Sequence, residues 1–258
     1  LGDVYKRQDL YVGFRGSFTY AQNKIIEQDE ALGVMGTNRQ RTGEKVNQLF
    51  GLVDEGLFTF DDFQKDACRC ITDGKSVVVC APTGAGKTVI AQHAIHCALE
   101  QGKKVFYTTP LKALSNQKYN DFSEKYGIDK VGLLTGDTSI NRGAQIVVMT
   151  TEVFRNMLYG TNFGSVTDNL KDVKYVILDE VHYMNDEQRG TVWEESIIYC
   201  PTNVQIVALS ATVANADKLT EWINTVHSRT ELINTDFRPV PLLSLIHISE
   251  PTRRSYIS

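Results

Sequence analysis

The pattern of apolar and polar positions changes character once, near Phe58. Residues 9–56 are polar and poorly periodic, with Gly33, Gly36, Gly43 and Gly51 scattered among charges, and they read as a loosely folded lead-in (1–56). Beyond it, short apolar runs recur: SVVVC (76–80), KVFYTT (104–109), VGLL (131–134), AQIVVMT (144–150), KYVILDE (174–180) and VQIVALSAT (204–212). Each is predicted to be a strand buried on both faces, because an apolar run without alternation has no solvent side. The segments between them carry helical spacing. In VIAQHAIHCALE, Val89, Ile90, Ala94, Cys97 and Ala98 share one helix face. A polar helix is predicted from Lys112 to Tyr126, and shorter ones at 152–159, 187–199 and 215–227. Such alternation predicts an α/β fold, a parallel sheet with helices on both faces.

Composition narrows the picture only slightly. Hydrophobic residues make up 42% of the 258 and charged residues 22%, as in an ordinary globular domain. No run approaches the roughly 18 apolar residues of a membrane span, so no membrane partner is expected. The formal charge is 27 − 31 = −4, and any basic groove for nucleic acid must be local. Cys68, Cys70, Cys80, Cys97 and Cys200 lack metal-ligand pairing and read as reduced thiols of an intracellular protein. His93 and His96 lie three apart on one helix without an evident third ligand, which favours structural roles.

The candidate chemistry sits where strands end. APTGAGKT (81–88) follows one strand and opens one helix, the setting a phosphate-binding loop requires. Thr83, Gly84, Ala85 and Gly86 would turn the backbone so that its N–H groups face phosphate oxygens. The helix N-terminus adds partial positive charge. Lys87 would reach the β- and γ-phosphates, and the Thr88 hydroxyl would ligate Mg²⁺. Asp179 and Glu180 end another apolar strand, and two repelling carboxylates there call for a cation. Asp179 is expected to hold Mg²⁺, and Glu180 to orient or deprotonate the attacking water. Ser210 and Thr212, in SAT, end the next strand and are expected to hydrogen-bond His182.

APTGAGKT, TTPLKALSNQK, TGD, TTEVFRNML, DEVH and SAT, in that order, resemble the ATP-binding half of a superfamily-two DExH-box RNA helicase. The likeness is strongest to the superkiller type and, through GKSVVVCAPTGAGKT, NMLYG, HYMNDEQRGTVWEESIIYCP and DFRPVPL, to its chloroplast and cyanobacterial form. It implies a RecA-like P-loop NTPase domain over 57–242 that uses ATP and Mg²⁺ and works in a chloroplast or a cyanobacterial-type cytoplasm. It implies that the Phe58 ring stacks on adenine while the Gln64 amide reads the base's exocyclic edge. It further implies that Pro110, Lys112 and Ala113, with Thr135, Gly136, Thr150, Thr151 and Glu152, lie along single-stranded RNA, contacting its backbone without regard to sequence. A second RecA-like domain is the implied partner, supplying arginines to the transferring phosphoryl group.

Other phosphate-loop classes fit less well. A GTPase calls for an NKxD-type guanine reader, but NKII (23–26) precedes the loop and lacks the Asp. A transporter ATPase calls for an LSGGQ-like segment, which the sequence lacks. A nucleic-acid-binding module with degraded nucleotide motifs would not keep Lys87, Asp179 and Glu180 together. The sequence begins with Leu1, and both DVYKRQ (3–8) and LSLIHISEPTRRSYIS (243–258) look like translated sequencing adapter, unrelated to the pattern between them. Neither end is therefore read as authentic, which leaves room for a targeting peptide before the sequence and a C-terminal domain after it.

Overall fold

The computed structural model describes residues 60–160, 170–186 and 189–236. Phe58, the lead-in and the tail at 243–258 lie outside the described residues. Helix α1 (Asp62–Thr72) precedes strand β1 (Ser76–Cys80), and α2 (Thr88–Glu100) leads to β2 (Lys104–Thr109). After α3 (Lys112–Tyr126) come β3 (Val131–Leu134), the two-residue β4 (Ser139–Ile140) and β5 (Ile146–Thr150). Then follow α4 (Thr151–Leu158), β6 (Val173–Leu178), α5 (Gly190–Ile198), β7 (Gln205–Ser210), α6 (Ala216–Val226) and β8 (Thr230–Asn234).

The strands form one eight-stranded sheet in the order β4-β3-β5-β2-β6-β7-β1-β8. Every pairing is parallel except β3 with β4. The C-terminal ends of β1, β2, β3, β5, β6 and β7 therefore share one edge, where open parallel sheets bind ligands.

Alternate residues of each strand feed two cores. Val77, Val79, Tyr107, Val148, Ile177 and Leu209 pack with Phe63, Ile71, Ile90, Ile95 and Phe122 of α1, α2 and α3. Val78, Phe106, Met149, Val176 and Ala208 pack on the other face with Phe154, Trp193 and Ile223 of α4, α5 and α6. All five residues of β1 are buried, so neither of its faces meets water. Each fully buried Val or Ile side chain stabilises the fold by roughly 1.5–3 kcal/mol relative to exposure. A polar substitution in β1 therefore has no tolerant side.

The sequence pattern missed three things. β8 (TELIN) borders only β1, is half buried and lacks an apolar run. β4 is exposed at both residues and pairs antiparallel with β3, so the sheet is not wholly parallel. Two 3₁₀ turns, Ile128–Lys130 and Val181–Asn185, have no periodicity to announce them.

Candidate active site

The loop between β1 and α2 carries Gly84 and Gly86 at φ 85° and 86°, the left-handed region that favours glycine. At Gly86 there is a second constraint, since a Cβ there would fall 2.5 Å from Gln64 Nε2. Gln64 is 2% exposed. Its Nε2 donates to Ala85 O (3.2 Å) and Gly86 O (3.3 Å), and its Oε1 accepts from Asp61 N–H (3.1 Å). Both amide hydrogens are thus committed to the loop, so Gln64 braces it from behind, while Oε1 keeps one lone pair for a donor such as the exocyclic amine of adenine. Thr83 and Gly84 are exposed, Ala85 is buried, and Thr88 opens α2.

Lys87 stands just before α2. Its Nζ donates to Ala81 O (2.7 Å) and Pro82 O (3.1 Å), carbonyls of its own loop. Burial lowers its pKa below the usual lysine value, while the Glu180 and Asp179 carboxylates oppose that shift. Those two carboxylates therefore share the ammonium's electrostatic neighbourhood, as their common edge requires.

Asp179 follows the end of β6, its N–H donating to Thr108 O of β2 at 3.0 Å. The carboxylate is held at both oxygens. Tyr107 Oη donates to Oδ2 at 2.5 Å, and Glu180 N–H donates to Oδ1 at 3.0 Å. Glu180 makes the second contact by adopting φ 57°, ψ 44°, a left-handed conformation that costs a non-glycine residue roughly 1–2 kcal/mol. Burial first, and then the charge of Asp179, raise the Glu180 carboxyl above its ordinary value, opposed by His182, Lys87 and Lys118.

His182 is linked to the end of β7, but not by the groups expected. The donor is Ala211 N–H, 3.3 Å from His182 Nδ1. Ser210 is buried and Thr212 exposed, and neither hydroxyl makes the predicted bond. The same Nδ1 lies 3.2 Å from Glu180 Oε2. One nitrogen cannot serve both partners at once: without a proton it accepts from Ala211, and with one it donates to Glu180.

The remaining candidates lie at the ends of β2, β3 and β5. Lys112 and Ala113 are exposed, as is Gly136, where a Cβ would meet nothing within 4 Å. Lys112 is paired with Asp137, which also accepts from Thr135 Oγ1 at 2.9 Å. Those two hydrogen bonds, the lysine's first, hold the Asp137 carboxyl below its usual range. Pro110 and Thr150 are buried and Glu152 is partly so. Thr151 requires a correction. Its side chain is fully buried and donates to Thr109 O at 3.1 Å, tying α4 to β2 rather than facing a nucleic-acid strand.

Asp179 and Thr88 supply hard oxygen donors, the type Mg²⁺ takes. Among the described residues no cluster of three or more His, Cys, Asp or Glu side chains could cage a metal. One carboxylate and one hydroxyl suit a Mg²⁺ held largely by phosphates and water, so the residues fit the ion. Tyr107 and Lys118 are participants that sequence reasoning missed, while Asp137 and Ala211 lie inside the TGD and SAT motifs without having been given these contacts. Tyr107 left only a weak trace, a polar-tipped ring inside an apolar strand.

A family model described as "DEAD/DEAH box helicase" matches residues 61–219. The chain is 52% identical over 198 residues to the DExH-box ATP-dependent RNA helicase DExH15 chloroplastic of Arabidopsis thaliana, covering 76% of this chain and 17% of that protein. It is 54% identical over 185 residues to the probable helicase HelY of Mycobacterium tuberculosis, covering 72% and 20%. Identity to the exosome RNA helicase MTR4 of Homo sapiens is 49% over 186 residues, covering 72% and 17%. The chain thus spans about a fifth of the length of these curated relatives. Among solved structures, that of Mycobacterium smegmatis helicase Lhr bound to ssDNA and AMP-PNP superposes with a TM-score of 0.55 at 26% identity, covering 67% of this chain and 25% of that one. With the family match extending over more than half of its residues, the chain belongs to the DEAD/DEAH box helicases.

Proposed function

We propose that this chain is the ATP-binding RecA-like module of an RNA helicase, spanning about residues 57–242, and that it couples ATP hydrolysis to strand separation together with a second RecA-like domain. The observation that carries the reading is the convergence of Lys87, Asp179, Glu180 and the His182–Ala211 link on one sheet edge, with Lys112 and Gly136 exposed at neighbouring strand ends. RNA is favoured over DNA because two of the relatives are named RNA helicases, although Lhr was solved with DNA. The name of the Arabidopsis relative, which is chloroplastic, supports a chloroplast as the site of action.

In this reading Lys87 leaves its loop carbonyls and takes the β- and γ-phosphates, while Gln64 keeps the loop in shape. Thr88 and Asp179 would hold Mg²⁺, which would supply charge neutralisation at the transferring phosphoryl group. Glu180 orients the attacking water and takes its proton, a task suited by its raised pKa. His182, able to pair with either Glu180 or the Ala211 amide, relays the state of the nucleotide to the end of β7.

Two variants separate these roles. Lys87→Ala should abolish binding of a fluorescent ATP analogue or nearly so. Glu180→Gln should keep binding within about twofold and, with the second domain present, lower RNA-stimulated phosphate release by ~10²–10⁴-fold. Equal loss of nucleotide affinity in both would contradict the assignment, and stimulation by single-stranded DNA alone would move the substrate class.

A further inference from the structure

We propose that Tyr107 is a positioning residue for Asp179, its hydroxyl fixing the orientation in which that carboxylate meets Mg²⁺. The inference rests on the metal-binding role given to Asp179 above. Tyr107 lies in β2, directly beside β6, and is 1% exposed. Its ring is held on two sides. Phe122 packs edge-on against it with centroids 5.1 Å apart, and Lys118 Nζ lies 6.0 Å from its centroid. A ring so confined has one direction for its hydroxyl, and there Tyr107 Oη donates to Asp179 Oδ2 at 2.5 Å.

The consequence lies in how a carboxylate rotates. The terminal torsion of an aspartate is broad and roughly two-fold, so a carboxylate with one tether still swings. Asp179 has two, Tyr107 on Oδ2 and the Glu180 N–H on Oδ1. Each tether uses one lone pair and leaves the other lone pair of its oxygen for a metal or its water. The backbone tether survives any side-chain change, so the hydroxyl is the removable half. Partners that orient a metal's ligand typically govern ~10–100-fold in metal affinity.

Tyr107→Phe removes the hydroxyl and keeps the ring against Phe122. The test titrates Mg²⁺ into the chain with N-methylanthraniloyl-ATP, and repeats nucleotide binding in EDTA. The expected result is a Mg²⁺ midpoint raised about tenfold or more, with affinity in EDTA unchanged. An unchanged midpoint overturns the proposal, and so does an equal loss with and without Mg²⁺, which marks a merely structural side chain. Asp179→Ala runs beside it: Mg²⁺ dependence that survives there sinks the underlying role of Asp179. Dependence lost there but unmoved in Tyr107→Phe sinks only the inference about Tyr107. Site-specific 3-fluorotyrosine at position 107 keeps both ring and hydroxyl and guards against a Phe variant that fails to fold. Its ¹⁹F resonance should move when Mg²⁺ joins the nucleotide complex, and a resonance indifferent to the ion overturns the proposal.

Discussion

Single residues in this chain serve as structural ties as often as chemical groups, and His93 shows the difference. It sits on α2, 2% exposed, with Nε2 3.0 Å from Thr72 Oγ1 and 3.5 Å from Cys97 Sγ. Thr72 donates its own proton to Cys68 O, so its oxygen is left to accept from Nε2–H. Nδ1 is buried without a hydrogen-bond partner. Charging the ring would strand an N–H in the core. Burial foremost, with His96 adding to it and the Cys68 carbonyl and Glu100 opposing, lowers the pKa to about 4 from 6.5. Between those values the unfolded chain binds a proton that the folded one refuses. Stability is therefore complete above about pH 6.5 and declines as pH falls toward 4, by up to roughly 3 kcal/mol. Urea unfolding at pH 7.5 and pH 5 should show this loss, and His93→Gln should flatten the dependence; an equal decline in that variant places the titration elsewhere. The sequence singled out Lys87, Asp179 and Glu180, which the fold brings near one another, because such residues stand out by type and neighbours. It could not identify the Gln64 brace or the Thr151 tie. A buried amide and a solvent-facing one are spelled alike, and only the fold shows which way each points.

At the scale of elements, apolar runs made six strands readable because sheets covered on both faces tolerate few polar interruptions. β8 escaped because an edge strand needs only half that signal. Helix α3 shows how little apolar surface a helix can need. Of its fifteen residues only Ser115 and Phe122 are buried, with Tyr119 and Tyr126 partly so. Phe122 is 1% exposed and meets Tyr107 and Tyr126 edge-on, at 5.1 and 6.0 Å between centroids. It is the one large anchor of that helix. Phe122→Ala should cost ~3–5 kcal/mol, near the upper range for a buried aromatic. Its effect should be local first: hydrogen exchange should quicken in Lys112–Tyr126 well before β1 or β7. Exchange rising evenly across the sheet would show that α3 is held by something else.

For the whole molecule, strand order divides the edge into two territories. The ends of β3, β5 and β2 carry the loops proposed for nucleic acid, and those of β6, β7 and β1 carry the groups proposed for nucleotide. They meet at the β2–β6 seam. The order could not be read from sequence, since β1 and β2 are consecutive in the chain yet have β6 and β7 between them. Separate territories predict separable losses. Lys112→Ala should weaken binding of single-stranded RNA and reduce the slope of log affinity against log salt by about one, leaving nucleotide affinity unchanged. Fluorescence anisotropy at several salt concentrations measures both, and a matching drop in nucleotide affinity would mean that the territories overlap. The bonds from Lys87 to Ala81 O and Pro82 O carry a consequence of another kind. Under the role proposed for Lys87, an arriving triphosphate would exchange two neutral oxygens for anionic ones, and departing product would hand the ammonium back. A lone anion would have to offset two hydrogen bonds by itself, whereas several phosphates share that cost, so selectivity for a polyphosphate would begin with what is required to open the loop.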